Sequence, residues 1–454
     1  MNVSFFGELL TAISDRGRQW LDLSGIGSGQ GESIEDLSQA LLSGRGEASG
    51  VAIAQQILAR YRTLDDEGRY QFFRFLADRV APETERVASS ARAYLQAPSA
   101  DALKRLTQAV ESPRLEYLRR LNLSPGATAE IVRMRADLLR MTKKDEALAA
   151  VDRDFVSQLT SWFNRGFLVL QSIDWSTPAN ILEKIIRYEA VHEIQGWDDL
   201  RRRLDPADRR CFAFFHPSLV DDPVIFVQVA LSREAPGSIQ QVLKEEQRGA
   251  LEIRDPTTAV FYSISNCQEG LRGISFGNFL IKQVVEDLAR AIPSLKTFVT
   301  LSPIPGFSNW LERAKLSNLL TYLDATELAI LDNLADEDWR NDEELAEAMK
   351  PVLMAAAAHY FLVAKNIHGR PVDPVARFHL GNGARLERIN WLGNISSRGL
   401  KEAHGLMVNY RYDLRDIERN HELFANSGVV AASKSVRSYL RVPEKSQALV
   451  PAGE

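Results

Sequence analysis

The sequence predicts two structural classes in one chain, an all-helical N-terminal bundle followed by an α/β domain that carries a helical insertion. Up to about residue 165, apolar residues recur at helical spacing, as at Ile53, Ile57 and Tyr61. Short runs rich in β-branched and aromatic residues, bounded by turn signals, appear only after Phe167. We therefore divide the chain into a helical domain of residues 1–165 and an α/β domain of residues 166–454.

Local signals in the helical half support this division. Ser33 and Asp36 have the spacing of a capping box that opens a helix. The glycine-rich stretch Gly25–Gly31 follows a helical pattern and not a strand, so we interpret it as a loop between helices and not as a dinucleotide-binding turn. With no site of its own, the bundle is expected to mediate homo-oligomer formation.

The second half has the order of elements of a βαβ unit. Strands are predicted at Phe212–Phe215, Val224–Leu231, Ala259–Ser265, Thr297–Leu301, Leu386–Asn394 and Leu406–Tyr412. Between the third and fourth of these, Leu271–Ala291 carries a helical stripe of apolar residues. A strand, a helix and a strand within this length predict a parallel, right-handed crossover. Residues from about Asp324 to Asn366 form the predicted helical insertion.

Composition excludes several functional classes. A net charge of −5 argues against a general nucleic-acid binder, and two cysteines exclude a disulfide framework and a four-thiolate zinc site. The most apolar segment, Pro351–Ala364, is too short to cross a bilayer and is expected to be a buried helix. The N-terminus lacks the pattern of a secretory signal, so we expect a cytoplasmic protein that binds neither nucleic acid nor membrane.

A second glycine-rich stretch lies between a predicted strand and a predicted helix. Its residues are Gln268, Gly270, Leu271, Arg272 and Gly273, with Gly277 and Asn278 following. Glycines let the backbone approach a ligand closely, and a helix N-terminus attracts anions, so the stretch suits a pyrophosphate. An ordinary tight turn between strand and helix explains the same residues. The lysine and the glycine spacing of nucleotide-binding loops are absent.

Longer motifs in the second half resemble a known family. They are Phe261-Tyr262-Ser263-Ile264-Ser265, Gly270-Leu271-Arg272-Gly273, Leu301-Ser302-Pro303-Ile304-Pro305-Gly306-Phe307, Phe378-His379-Leu380, Asn382-Gly383-Ala384 and Gly405-Leu406-Met407-Val408-Asn409-Tyr410-Arg411-Tyr412. In this order the motifs resemble malonyl-CoA decarboxylases, whose catalytic domain is related to the GNAT acetyltransferases. Leu271 departs from the wider acetyltransferase pattern, which has a glycine there.

The resemblance implies a fold, an activity and a set of site residues. It implies a helical domain followed by a GNAT-like catalytic domain, and conversion of malonyl-CoA to acetyl-CoA and CO2, with Ser302 and His379 as the catalytic pair. The substrate-binding residues it implies are Ser263, Ser265, Gln268, Gly270, Leu271, Arg272, Gly273, Gly277, Asn278 and Tyr412. A Ser-Lys-Leu ending found in animal members is missing here, which favours the cytoplasm over the peroxisome.

The chemistry of this reaction sets the cofactor expectation. Loss of CO2 leaves an enolate that the thioester itself stabilises, so we expect no metal, biotin or pyridoxal phosphate. Two rival functions use the same CoA-binding features: an acyl-CoA acyltransferase and a non-catalytic acyl-CoA-binding scaffold. Malonyl-CoA alone separates them, because only a decarboxylase forms acetyl-CoA without an acceptor.

Overall fold

The computed structural model describes residues 32–43, 46–143, 145–243, 256–274, 280–336 and 338–441. The glycine stretch Gly25–Gly31 lies outside these ranges, as do Gly277 and Asn278. The chain forms two compact units. One comprises the described parts of Met1–Val169, Phe214–Val224 and Asn266–Phe276, and the other those of Leu170–Ala213, Ile225–Ser265 and Gly277–Glu454. The predicted domain boundary near residue 165 stays a prediction, because Phe214–Val224 and Asn266–Phe276 follow that boundary and yet belong to the first unit.

The first unit is built from helices. They are α1 (Ile34–Leu42), α2 (Glu47–Thr63), α3 (Asp66–Arg79), α4 (Thr84–Gln96), α5 (Ala100–Val110), α6 (Pro113–Leu121), α7 (Ala127–Met141) and α8 (Leu148–Trp162). The predicted capping box opens α1: the Asp36 N–H donates to Ser33 Oγ at 3.1 Å, and the Ser33 N–H donates to the Asp36 carboxylate at 3.2 Å. Buried aromatic rings of α3 and α8, Phe73 and Phe155, meet edge to face in the core of this unit.

The strands of the described chain form one mixed sheet. They are β1 (Val169–Ile173), β2 (Arg209–Phe215), β3 (Pro223–Ser232), β4 (Thr258–Asn266), β5 (Thr297–Thr300), β6 (Ser302–Pro303), β7 (Arg385–Asn390) and β8 (Met407–Tyr412). Their order is β1-β2-β3-β4-β5-β8-β6, and β7 also pairs with β8. Strands β4 and β5 are parallel, whereas β8 is antiparallel to β5, β6 and β7.

Helices join these strands. They are α9 (Ala179–Tyr188), α10 (Trp197–Leu204), α11 (Ile239–Leu243), α12 (Leu280–Ala291), α13 (Phe307–Leu316), α14 (Ala325–Ile330), α15 (Glu343–Leu362), α16 (Pro374–Gly381), α17 (Ser397–Ala403), α18 (Ile417–Ser427) and α19 (Lys434–Arg437). A cluster made of Val260, Tyr262, Val299, Leu301 and Met407 packs α11 against one face of the sheet.

The predicted fold class is confirmed, with corrections to individual elements. The predicted insertion contains α14 and α15, and the apolar segment around Pro351 is the buried helix expected of it. The start of the helix predicted at Leu271 is wrong: Glu269–Leu271 is a 3₁₀ turn, and Gly273 has a φ of +80°, which an α-helix does not accept. Strand β1 escaped prediction because its residues are mostly exposed and lack apolar alternation. None of the described helices is both long and apolar enough to span a membrane.

Candidate active site

Strand β5 pairs with β4 along only the first part of β4. Their register ends at Phe261 opposite Thr300, followed by a hydrogen bond from the Leu301 N–H to the Phe261 carbonyl at 2.9 Å. Beyond that point β4 runs on to Asn266, while the other chain continues as β6 and pairs with β8. The two parallel strands therefore part immediately before Ser302. In α/β sheets, ligands bind outside the carboxyl ends of the strands, which is where Ser302 lies.

Ser302 and His379 form the hydrogen-bonded pair that the sequence predicted. Ser302 Oγ lies 3.2 Å from His379 Nε2, although 77 residues separate them in the chain. Ser302 Oγ also lies 2.8 Å from Thr300 Oγ1, which accepts a hydrogen bond from the Tyr410 N–H at 3.1 Å. Ser302 and His379 are buried, at 6% and 3% exposure. Their contact is shown, and their catalytic roles remain predictions.

Tyr412 and Tyr410 complete the surroundings of the imidazole. The Tyr412 hydroxyl lies 2.8 Å from His379 Nδ1, so both ring nitrogens have a partner. The Tyr410 ring stacks on the imidazole, with 4.5 Å between the ring centroids. Burial lowers the pKa of His379 to about 3, and it raises the pKa of Tyr412 well above its ordinary value. At neutral pH the free protein therefore holds a neutral imidazole beside a neutral phenol.

Helix α16 carries His379 and has a well-defined start. Pro374 occupies its first turn, and the Asp373 carboxylate caps it by accepting the Ala376 N–H at 2.6 Å. The Tyr360 hydroxyl donates to the other oxygen of Asp373 at 3.2 Å. Burial raises the pKa of Asp373 to about 6. These contacts fix the helix that places the imidazole against β8.

Ser263 and Ser265 of β4 contact a buried carboxylate that sequence reasoning missed. Ser263 Oγ lies 2.8 and 2.7 Å from the two carboxylate oxygens of Glu189, and Ser265 Oγ lies 3.2 Å from one of them. Gln228 Nε2 and the N–H groups of Val191 and His192 also donate to Glu189. An ionised carboxylate only accepts hydrogen bonds. The two serine hydroxyls are therefore donors to Glu189, and they also lie 3.2 Å from each other, while Ser265 Oγ accepts the Ala190 N–H at 3.4 Å.

We expect Glu189→Gln to destabilise the protein by about 1–3 kcal/mol, because the new amide turns a donor toward groups that themselves donate. The measurement is the urea-unfolding midpoint followed by circular dichroism. Glu183→Gln is the matched control, since Glu183 lies on the preceding helix α9 and is exposed. Equal midpoints for the two variants would contradict this role of Glu189.

The glycine turn, Gly270–Gly273, is held by contacts within the first unit, which is the helical unit. A Cβ on Gly270 would lie 1.8 Å from the Val132 carbonyl oxygen of α7, so only glycine fits there. Leu271 is buried, whereas the Arg272 side chain is 62% exposed and pairs with Glu269. Packing on α7 thus accounts for Gly270, and binding of a ligand by this turn stays a prediction.

Gln268, the remaining predicted binding residue at the turn, is engaged within the same unit. Its side-chain amide donates to the Asp222 carboxylate and to the Pro223 carbonyl, both at 3.0 Å. Gly277 and Asn278 lie outside the described residues. The structure thus joins Ser302, His379 and Tyr412 directly, and it gives Ser263 and Ser265 a separate partner in Glu189.

One contact of the site could have been predicted from the sequence, and another could not. Thr300 stands two residues before Ser302, and alternation along a strand places both on one face. The proximity of Thr300 and Ser302 was therefore predictable from the sequence. Glu189 lies 74 residues from Ser263, in a segment without motif spacing, and no sequence signal connected them. In the described part of the chain, no group of three or more histidine, cysteine, aspartate or glutamate side chains is arranged to hold a metal ion.

Comparison with known proteins shows the family of the chain. A family model described as the malonyl-CoA decarboxylase C-terminal domain matches residues 166–450, and the model of the N-terminal domain of the same family matches residues 80–163. The protein is thus an enzyme of the carboxy-lyase class. More narrowly, the chain belongs to the malonyl-CoA decarboxylase family, as the sequence motifs predicted.

Individual relatives support the same assignment. The mitochondrial malonyl-CoA decarboxylase of Anser anser anser is 37% identical over 361 residues, which cover 72% of this chain and 70% of the relative. The crystal structure of malonyl-CoA decarboxylase from Rhodopseudomonas palustris has a TM-score of 0.85 at 53% identity, covering 89% of this chain and 98% of that one. The crystal structure from Agrobacterium vitis has a TM-score of 0.84 at 54% identity, covering 89% and 99%.

Proposed function

We propose that this member of the malonyl-CoA decarboxylase family converts malonyl-CoA to acetyl-CoA and CO2 at the Ser302–His379 pair. The observation that carries the proposal is the buried chain of contacts from Ser302 through the imidazole to Tyr412, beside the point where β4 and β5 part. A buried, desolvated set of hydrogen-bond donors stabilises a developing oxyanion far better than water does.

The reaction requires two functions of this site. When the bond between the carboxylate carbon and the α-carbon breaks, its electron pair enters the thioester enolate, and CO2 leaves. Donors must stabilise the enolate oxygen, and a proton must then reach the α-carbon. Overall the substrate anion and one proton become acetyl-CoA and CO2. Protonation by a positioned acid contributes about 10²–10⁴-fold to such reactions.

The protonation states of the site are consistent with a reaction that consumes one proton. The His379 imidazole is neutral in the free protein because burial lowers its pKa to about 3. A substrate carboxylate placed nearby raises that pKa, since an opposite charge favours the protonated ring. The Tyr412 hydroxyl can accept from Nδ1 as well as donate to it, so it accommodates both states. Substrate binding therefore favours the charged imidazole, which can supply the proton that the reaction consumes.

Incubation with malonyl-CoA alone tests the proposed function. We expect acetyl-CoA and CO2 in equal amounts, without any added acceptor. An acyltransferase would show turnover only after an acceptor is added, and a non-catalytic scaffold would bind CoA without turnover. Either result would overturn the proposal.

We expect binding of an unreactive thioether analogue of malonyl-CoA to be accompanied by proton uptake that increases as the pH falls, because the carboxylate of the analogue raises the pKa of His379 from about 3. Calorimetry in buffers of different ionisation enthalpy measures this uptake. A His379→Gln variant that still binds the analogue should show none. Zero uptake by the unaltered protein would exclude an imidazole that charges on binding.

The remaining substrate contacts follow from the same proposal. We assign the CoA pyrophosphate to the turn Gly270–Gly273, with Gly277 and Asn278 continuing the site. The acyl end is assigned to Ser263, Ser265 and Tyr412. No metal, biotin or pyridoxal phosphate takes part in the proposed reaction, because the thioester carbonyl itself receives the electron pair. Treatment with a chelator or with avidin should leave the rate unchanged.

We also propose that the helical unit assembles copies of the chain. Helix α4 has no buried residue. Among the described elements, only α5 makes extensive contact with it. Leu95 of α4, with Leu103 and Val110 of α5, leaves apolar surface exposed, as an assembly interface would require. Light scattering of the Leu95→Asp, Leu103→Asp double variant tests this, since a mass equal to that of the unaltered protein would exclude the α4–α5 surface.

A cytoplasmic location and a role in fatty acid metabolism complete the proposal. Both cysteines, Cys211 and Cys267, are buried and neither forms a disulfide, which suits a reducing compartment. Consumption of malonyl-CoA and release of acetyl-CoA connect the enzyme to reactions that use these thioesters.

A further inference from the structure

We propose that Arg135 of helix α7 is a positioning residue for CoA binding, which acts by holding the glycine turn in its binding conformation. The inference rests on the proposed function, since it assigns the CoA pyrophosphate to that turn. It gives the helical unit a direct part in substrate binding, in addition to the proposed assembly of copies.

The Arg135 side chain holds the turn by hydrogen bonds to its backbone. One guanidinium nitrogen donates to the carbonyl oxygens of Gly270 and Arg272, at 2.7 and 2.8 Å. Nε donates to the Asp152 carboxylate of α8 at 2.8 Å. The Arg135 side chain is only 3% exposed. A buried cation is costly unless it is paired and hydrogen-bonded, and these contacts supply both conditions.

The hydrogen bonds from Arg135 set the direction in which the backbone N–H groups of the turn point. In a planar trans peptide the carbonyl and the following N–H point in opposite directions. Because the Arg272 carbonyl faces Arg135, the Gly273 N–H points away from α7. No described backbone carbonyl accepts that N–H. A Cβ built on Gly273 would meet no atom within 4 Å, so the side-chain position of this glycine is open. An outward N–H at an open glycine is the donor that a pyrophosphate oxygen needs.

Arginine suits this position better than lysine. Its planar group offers several N–H donors in fixed directions, so it can bond two carbonyls and a carboxylate at once. Lysine keeps the charge as a single compact group and cannot span the same three acceptors. We therefore expect Arg135→Lys to behave like Arg135→Met and not like the unaltered protein.

The test measures binding of coenzyme A itself by calorimetry, so it does not depend on turnover. For Arg135→Met we expect the Kd for coenzyme A to rise at least about tenfold, because the turn loses the contacts that orient it. In malonyl-CoA assays KM should rise by a similar factor while kcat changes less than about threefold. Arg133→Met is the matched control, since Arg133 lies on the same helix, is 60% exposed and pairs with Glu130. Its Kd should stay within about twofold.

Two results would overturn the inference: a folded Arg135→Met variant with the Kd of the unaltered protein, or a loss confined to kcat. If that variant does not fold, Asp152→Asn decides. It keeps Arg135 and both carbonyl bonds but weakens their anchor, so we expect a Kd raised about two- to fivefold, and an unchanged Kd contradicts the inference. Failure of the proposed function is recognised separately, as the absence of acetyl-CoA formation by the unaltered protein.

Discussion

Ser302→Ala and His379→Gln are each expected to lower kcat on malonyl-CoA by about 10²–10⁴-fold, the usual contribution of a positioned acid. Ser302→Ala removes the hydroxyl that lies 3.2 Å from His379 Nε2, and His379→Gln replaces the imidazole with an amide that cannot act as an acid or base. Because residues that act as one unit are not additive, the double variant should be little slower than either single one. The measurement is steady-state release of acetyl-CoA.

The control is His368→Ala, since His368 is exposed whereas His379 is buried. Its kcat should equal that of the unaltered protein. Circular dichroism and thermal unfolding must show that the two site variants fold. Wild-type rates in folded Ser302→Ala and His379→Gln proteins would exclude the pair from catalysis.

Gly270→Ala is expected to destabilise the protein by about 3 kcal/mol, at the upper end of the usual cost of overpacking. The added methyl group would lie 1.8 Å from a backbone oxygen of α7, and a backbone atom cannot move aside as a flexible side chain can. The same displacement should separate the Gly270 carbonyl from Arg135 and weaken coenzyme A binding. Urea unfolding gives the first effect and calorimetry the second.

Gly50→Ala provides a control of opposite sign in the same unit. Gly50 lies inside α2, and a Cβ there would meet nothing within 4 Å. Alanine should therefore stabilise the helix, by up to about 1 kcal/mol. If Gly270→Ala and Gly50→Ala shift the unfolding midpoint equally, the close approach of Gly270 to α7 does not exist in solution.

The catalytic pair and the glycine turn illustrate two kinds of prediction. Ser302 and His379 were paired by resemblance to a family, and the structure brings their side chains together. The glycine turn was interpreted from its position between strand and helix, which left a plain turn equally open. The contact of Gly270 with Val132 adds a packing reason for that glycine, which its local sequence does not contain.

By itself the sequence determined what local periodicity and motif order encode. Helical spacing predicted the N-terminal helices, alternation and apolar runs predicted most strands, and the ordered motifs predicted the family. Only the tertiary structure decided the partners of the site: Glu189 beneath Ser263 and Ser265, Arg135 behind the glycine turn, and Tyr412 on His379. The reason is that hydrogen bonds between residues 33 to 135 positions apart depend on where whole helices and strands pack, and side-chain spacing along the chain carries no record of that.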